Sequence, residues 1–131
     1  MQDLTHPFGC DDDTLHDDNE LARMGALFIE ASTKAGRPIN LAPKYKEFFE
    51  KAGFTDVVER RFKWPLNTWP KDPHFKEIGA WSFENLNGGL EGLLLGLFTR
   101  FLGWSADEVM VFCVAVRKQL RDRQIHAYIP M

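Results

Sequence analysis

Cysteine is scarce in this chain: Cys10 and Cys113 are the only two, one in a polar stretch and one in an apolar run. That excludes a disulfide framework and reads as two reduced thiols in an intracellular protein. Long hydrophobic runs are missing too. The longest strictly apolar stretch, residues 109–116, falls far short of the ~18 residues that cross a bilayer. Met1 leads into polar sequence with no basic segment and no apolar core, so no signal peptide is expected, and the sequence predicts a cytoplasmic protein with no membrane partner. Basic charge is absent from residues 1–20, which carry seven acidic side chains, and the sixteen Lys and Arg of the remainder face twelve Asp and Glu spread along its length. A phosphate backbone needs a concentrated basic face, and residues 60–63 (RRFK) are too few to make one, so no nucleic-acid partner is expected.

What is present is apolar and aromatic. With 131 residues, 44% of them hydrophobic, the chain suits a single domain over 1–131 with one core, and eleven Phe and four Trp favour large pockets or interfaces. Residues 1–18 read as an acidic leader, extended or looped around Pro7, Gly9 and the Asp11-Asp12-Asp13 triplet. From Asn19 the spacing of Leu21, Met24, Leu27, Phe28 and Ala31 predicts an amphipathic helix, stopped by Gly36 and Pro38. A second short amphipathic helix follows Pro43, carries Tyr45, Phe48 and Phe49, and closes at Gly53. Residues 55–64 read as a half-buried strand. A helical region from Asp72 to Leu102 is expected to kink or break at Gly88-Gly89 and to end at Gly103. Ser105 and Glu108 form a capping-box pattern for a last helix reaching about Asp122, and residues 124–129 suit a short strand. No internal repeat is present. The fold class is therefore α+β, predominantly helical, with four to five helices and a few short strands.

Two stretches stand out. Residues 109–116 offer no polar face for two turns, and a helix apolar all round must be buried all round. Either it is a central core helix, or a second copy covers it in a homodimer through 109–116; the dimer is the preferred expectation. Residues 63–81 hold three Trp and three Pro, and the prolines forbid regular pairing, so this connection should be held by packing. It is either a pocket wall or a hydrophobic clamp over the helices.

The residues LAPKYKEFFEKAGFTDVVERRFKWPLNTWPKDPHFKEIGAW, then GLEG, FTRFLGWSADEV, VRKQLRD and IHAY, resemble the C-terminal half of fungal class I S-adenosylmethionine-dependent methyltransferases of secondary metabolism, the LaeA-like and UMTA-type proteins. The resemblance covers nearly the whole chain, and Gln2-Asp3 looks like the end of the family's fifth strand. It implies a truncated methyltransferase-like fold without a complete Rossmann sheet, comprising the substrate and lid side. In that family a Gly-rich turn after the first strand approaches the cofactor; here the only glycine cluster, NGGLEG, lies in a helical pattern, where it suits a kink or close helix packing. The chain is expected to use no cofactor and not to bind S-adenosylmethionine alone. Departures from the family pattern point to repurposing: Met110, Ala115 and Leu94 replace polar residues, and Glu84 and Asn87 replace apolar ones.

A cavity for a reactive intermediate needs aromatic walls and one or two titratable groups. Trp64, Trp69, Trp81 and Phe83 are candidate walls. His126 is the candidate base, since imidazole can accept and return a proton near neutrality. Glu84 and Glu91, seven residues apart on one helix, are candidates to orient it or act as bases, although Glu91 equally suits an ion pair. Asn85, Tyr128 and Arg100 are candidates to stabilise an oxyanion, with a surface carboxylate as the competing role for Arg100. His74 suits a helix cap. The acidic residues of 11–18 match no metal-site spacing, so no metal is expected. The sequence thus predicts a cofactor-independent cyclase or isomerase acting on a polyketide-like small molecule, forming a lactone or pyrone. The alternatives are a non-catalytic interaction or regulatory module, or half of a methyltransferase.

Overall fold

Apolar residues at three- and four-residue spacing give residues 20–34 a single inward face. In the computed structural model, which describes residues 1–131, they form α1 (Glu20–Lys34), burying Leu21, Met24, Phe28 and Ala31. Gly36, at φ 73°, takes the left-handed turn that ends it. A 3-10 turn (Ala42–Lys44) leads into α2 (Tyr45–Lys51), which buries no side chain. Amphipathic in sequence, α2 has no core to face: its apolar contacts are local, as in the edge-to-face pair of Phe49 and Phe54.

Helix α3 (Pro73–Leu97) opens with the Asp72 carboxylate accepting from the backbone N–H groups of His74 (2.9 Å) and Phe75 (3.1 Å). It then runs unbroken through Gly88-Gly89, where an interruption was expected. Leu90 and Leu94, both fully buried, anchor the helix on its inner side, while both glycines lie on the open side with nothing near enough to deform them. Regularity is lost later, in a π-helical turn (Phe98–Leu102) that drives Phe98 into the core beside Trp104 and Phe112. Gly103 closes it at φ 73°.

Helix α4 (Ala106–Leu120) starts at a reciprocal capping box: Glu108 N–H donates to Ser105 Oγ, and Ser105 N–H to the Glu108 carboxylate. Val109, Phe112, Cys113, Val116 and Leu120 enter the core formed with α1, α3 and the π turn. Its other side is open. Val111 is 72% and Val114 67% exposed, so this is no central core helix within the chain.

The sheet has two named strands, β1 (Lys63–Pro65) and β2 (Tyr128–Pro130), antiparallel with Trp64 opposite Ile129. Pro65, which has no N–H to donate, is tolerated because β1 is an edge. The pairing extends to Phe62 and Met131. Upstream, residues 55–61 meet no partner strand and do not form one, leaving Val58 77% exposed. The opposite edge of β2 takes the leader: Gly9 and Tyr128 exchange backbone hydrogen bonds of 2.8 and 2.9 Å, and Thr5 N–H donates to Pro130 O. Phe8 is buried in the core. Gly9 lets the Tyr128 ring lie close over the backbone: a Cβ there would be 2.4 Å from the ring, which would have to move. Residues 5–9 are therefore docked against the fold.

The aromatic connection after β1 behaves as a clamp, and hydrogen bonds as well as packing hold it. Leu66 N–H donates to Ala127 O, buried Asn67 donates to the carbonyls of Leu120 (3.0 Å) and Asp122 (3.1 Å), and Trp69 Nε1 donates to Ala127 O. Asn67 Oδ1 in turn accepts from Trp69 N–H. One side-chain amide thus ties the connection to the end of α4 and the approach to β2.

Candidate functional site

Residues 10–14 leave the leader at the same end of the sheet as the clamp leaves β1, and the chain returns there through residues 125–128 to enter β2. Three segments distant in sequence therefore meet. The His126 ring stacks on Trp69 at 4.8 Å between centroids. Its Nδ1 hydrogen-bonds the Asp12 carboxylate, and its backbone N–H donates to Thr14 Oγ1 at 2.8 Å. Thr14 Oγ1 also donates to Asp12 (2.8 Å), and Cys10 Sγ lies 3.2 Å from the same oxygen.

The bond to His126, then those from Thr14 and Cys10, hold the Asp12 carboxyl well below the usual carboxylate range. An ionised Asp12 can only accept, so Nδ1 carries the proton that joins them. In the neutral ring the lone pair is then on Nε2, which makes no hydrogen bond within the chain. This is a carboxylate-oriented imidazole with a free basic nitrogen.

A second layer lies alongside. Tyr128 Oη donates to Asp11 at 2.9 Å, Lys63 Nζ pairs with the same carboxylate, and the ammonium sits 4.9 Å from the Tyr128 ring centre. Burial, then the Asp11 bond, raises the Tyr128 phenol, while the Lys63 hydrogen bond leads in lowering Asp11. A cleft of about 680 Å³ adjoins the cluster through Thr14 and Ile125 and continues past His16, Asn19, Lys118 and Gln119. His126 does not line it.

Of the residues singled out from sequence, the fold brings His126, Trp69 and Tyr128 to one neighbourhood. Trp64 is half-buried in β1. Trp81 is 73% exposed on α3, and Phe83 packs against the helical core. Glu84 and Asn85 are exposed on α3 with no hydrogen-bond partner, and Arg100 is exposed on the π turn without an ion pair. Glu91 pairs with Arg117 at 2.6 Å, and the guanidinium also donates to Asn87 O, which staples α3 to α4. The four aromatic residues do not wall one cavity, and neither glutamate reaches His126. Asp12 and Thr14 take the orienting role. The signal for Asp12 is the acidic triplet, weighed above only for metal spacing, and Thr14 carries none. These carboxylates do not converge: Asp11 serves Lys63 and Tyr128, while Asp12 serves His126.

Over its length the chain is homologous to fungal secondary-metabolism methyltransferases and LaeA-like regulators. The probable methyltransferase tdiE of Emericella nidulans is 35% identical over 131 residues, all of this chain and 41% of its own length. The methyltransferase pytC of Aspergillus terreus is 37% identical over 127 residues, 97% of this chain and 39% of its own. The secondary metabolism regulator LAE1 of Cochliobolus heterostrophus is 38% identical over 120 residues, 91% of this chain and 39% of its own. The chain spans about two fifths of these relatives, a coverage that fits a C-terminal portion. No protein-family model matches it, and no solved structure does. No helix is long and apolar enough to cross a membrane.

The methyl donor that the class uses does not fit these residues as they stand. Gly88, Gly89 and Gly92 lie inside α3, and no glycine turn joins a parallel strand to a helix N-terminus.

Proposed function

We propose that the chain acts in fungal secondary metabolism as a cofactor-independent cyclase or isomerase, closing a lactone or pyrone ring on a polyketide-like substrate with His126 as proton shuttle. The observation that carries this reading is the His126–Asp12 pair stacked on Trp69. Nε2 removes a proton from carbon between two carbonyls, and the C–H electron pair moves onto oxygen as an enolate. That oxygen attacks the ester or thioester carbonyl further along the substrate, the new C–O bond replaces the bond to the leaving group, and the imidazolium returns its proton to the departing alkoxide or thiolate. Trp69 keeps the ring in place.

The test is ring closure of a linear triketide thioester by the purified chain, followed by NMR without added cofactor. Turnover should fall about 10²–10⁴-fold in His126→Ala, the usual worth of a positioned acid–base group. Asp12→Asn should fall less and shift the pH profile. A chain that leaves the thioester untouched, or a His126→Ala variant as fast as the parent, overturns the reading.

The coverage of two fifths favours a second reading, in which these residues are the substrate-side portion of a methyltransferase or a regulator that acts by binding another protein. Ring closure by the chain alone separates the readings: turnover that depends on His126 supports the cyclase, and no turnover supports the substrate-side portion or the regulator.

A further inference from the structure

The outer face of α4 has a sequence that answers itself when inverted. Asp107, Val111, Val114, Lys118 and Arg121 are all exposed and recur at spacings of four, three, four and three, the pattern of a helix–helix seam. Its centre is apolar, with Val111 at 72% and Val114 at 67% exposure and Met110 beside them at 42%. Its ends are charged, and neither Asp107 nor Lys118 has an ion-pair partner within the chain. Eleven residues separate the two, or roughly 16 Å at 1.5 Å per residue, too far to pair with each other on one helix.

We infer that a second copy of this chain covers the face, the two α4 helices crossing antiparallel about a two-fold axis that passes between Val111 and Val114. In that register Val111 of each copy meets Val114 of the other, and Asp107 of each meets Lys118 of the other, so both unpaired charges are matched twice. The parallel arrangement sets Asp107 against Asp107 and Lys118 against Lys118, and like charges in contact select against it. Antiparallel helix dipoles act in the same direction. Symmetry closes the assembly at two copies. The inference stands on α4 alone and is independent of the reading of His126.

The test is sedimentation velocity from about 1 to 200 µM, with circular dichroism as a check on folding. The expected species is a concentration-dependent dimer of twice 15.1 kDa. Val114→Glu should leave a folded monomer. Asp107→Lys and Lys118→Asp should each weaken the dimer at least tenfold, and the double swap should restore it, a rescue that only the inverted register provides. A parent chain that stays monomeric across the range overturns the inference and leaves the face to a different protein. A dimer indifferent to Asp107→Lys, or unrescued by the double swap, overturns it by placing the contact elsewhere.

Discussion

His6 sits between Phe8 and Phe28, ring centroids 5.1 Å away on either side, with Nδ1 buried and without a partner. Burial lowers its pKa from 6.5 to about 4. In the unfolded chain the imidazole takes up its proton as pH falls through about 6.5, but in the fold it resists until about 4. Its neutral form therefore supports full stability above 6.5, and stability declines between 6.5 and 4 by at most about 3 kcal/mol. Urea titrations across that range should show the decline in the parent and a flatter profile in His6→Phe. An equally steep profile in the variant would assign the loss to other groups. The contrast with His126 explains what was legible at this scale. A histidine can be noticed in a sequence, but that His6 faces Phe8 and Phe28 while His126 faces Asp12, 114 positions away, is decided by the fold. Asp12 and His126 were both in view, but their pairing was not.

At the scale of elements, boundaries set by local chemistry were readable: the capping box of Ser105 and Glu108, the stop at Gly36, the close at Gly103. Misread features were those decided by neighbours. Residues 55–64 have the alternation of a strand, yet only their end finds a partner. Gly88-Gly89 looked like a break, yet Leu90 and Leu94 hold α3 through it. The glycines of α3 consequently separate into two kinds. A Cβ on Gly88 or Gly92 meets nothing within 4 Å, whereas one on Gly79 lies 2.0 Å from the backbone oxygen of Asn67. Thermal melts should show Gly88→Ala and Gly92→Ala each stabilising by about 0.5–1 kcal/mol. Gly79→Ala should destabilise by at least about 1–3 kcal/mol, because backbone must move to admit the methyl group. A destabilising Gly92→Ala would mean that this open face is covered in solution.

At the scale of the whole molecule, the helical class was legible from periodicity over long segments, and the absence of a complete parallel sheet was what the family resemblance implies. The placement of the leader was not. Composition made it an acidic tail, but Phe8 and the Gly9–Tyr128 pairing fix it against β2, whose other edge holds β1. That arrangement has a kinetic side. Helices α3 and α4 are joined by a short turn and can meet early, whereas pairing Gly9 with Tyr128 closes almost the entire chain. Docking of residues 5–9 should therefore follow the folding transition state. Phe8→Leu should speed unfolding while leaving the refolding rate nearly unchanged, a φ-value near zero in stopped-flow chevrons. A value near one would place the leader in the nucleus. With a late-docking leader, the lifetime of the native state becomes the lifetime of a latch. How long the protein survives a protease or a brief heat pulse is then governed by the detachment of its first dozen residues.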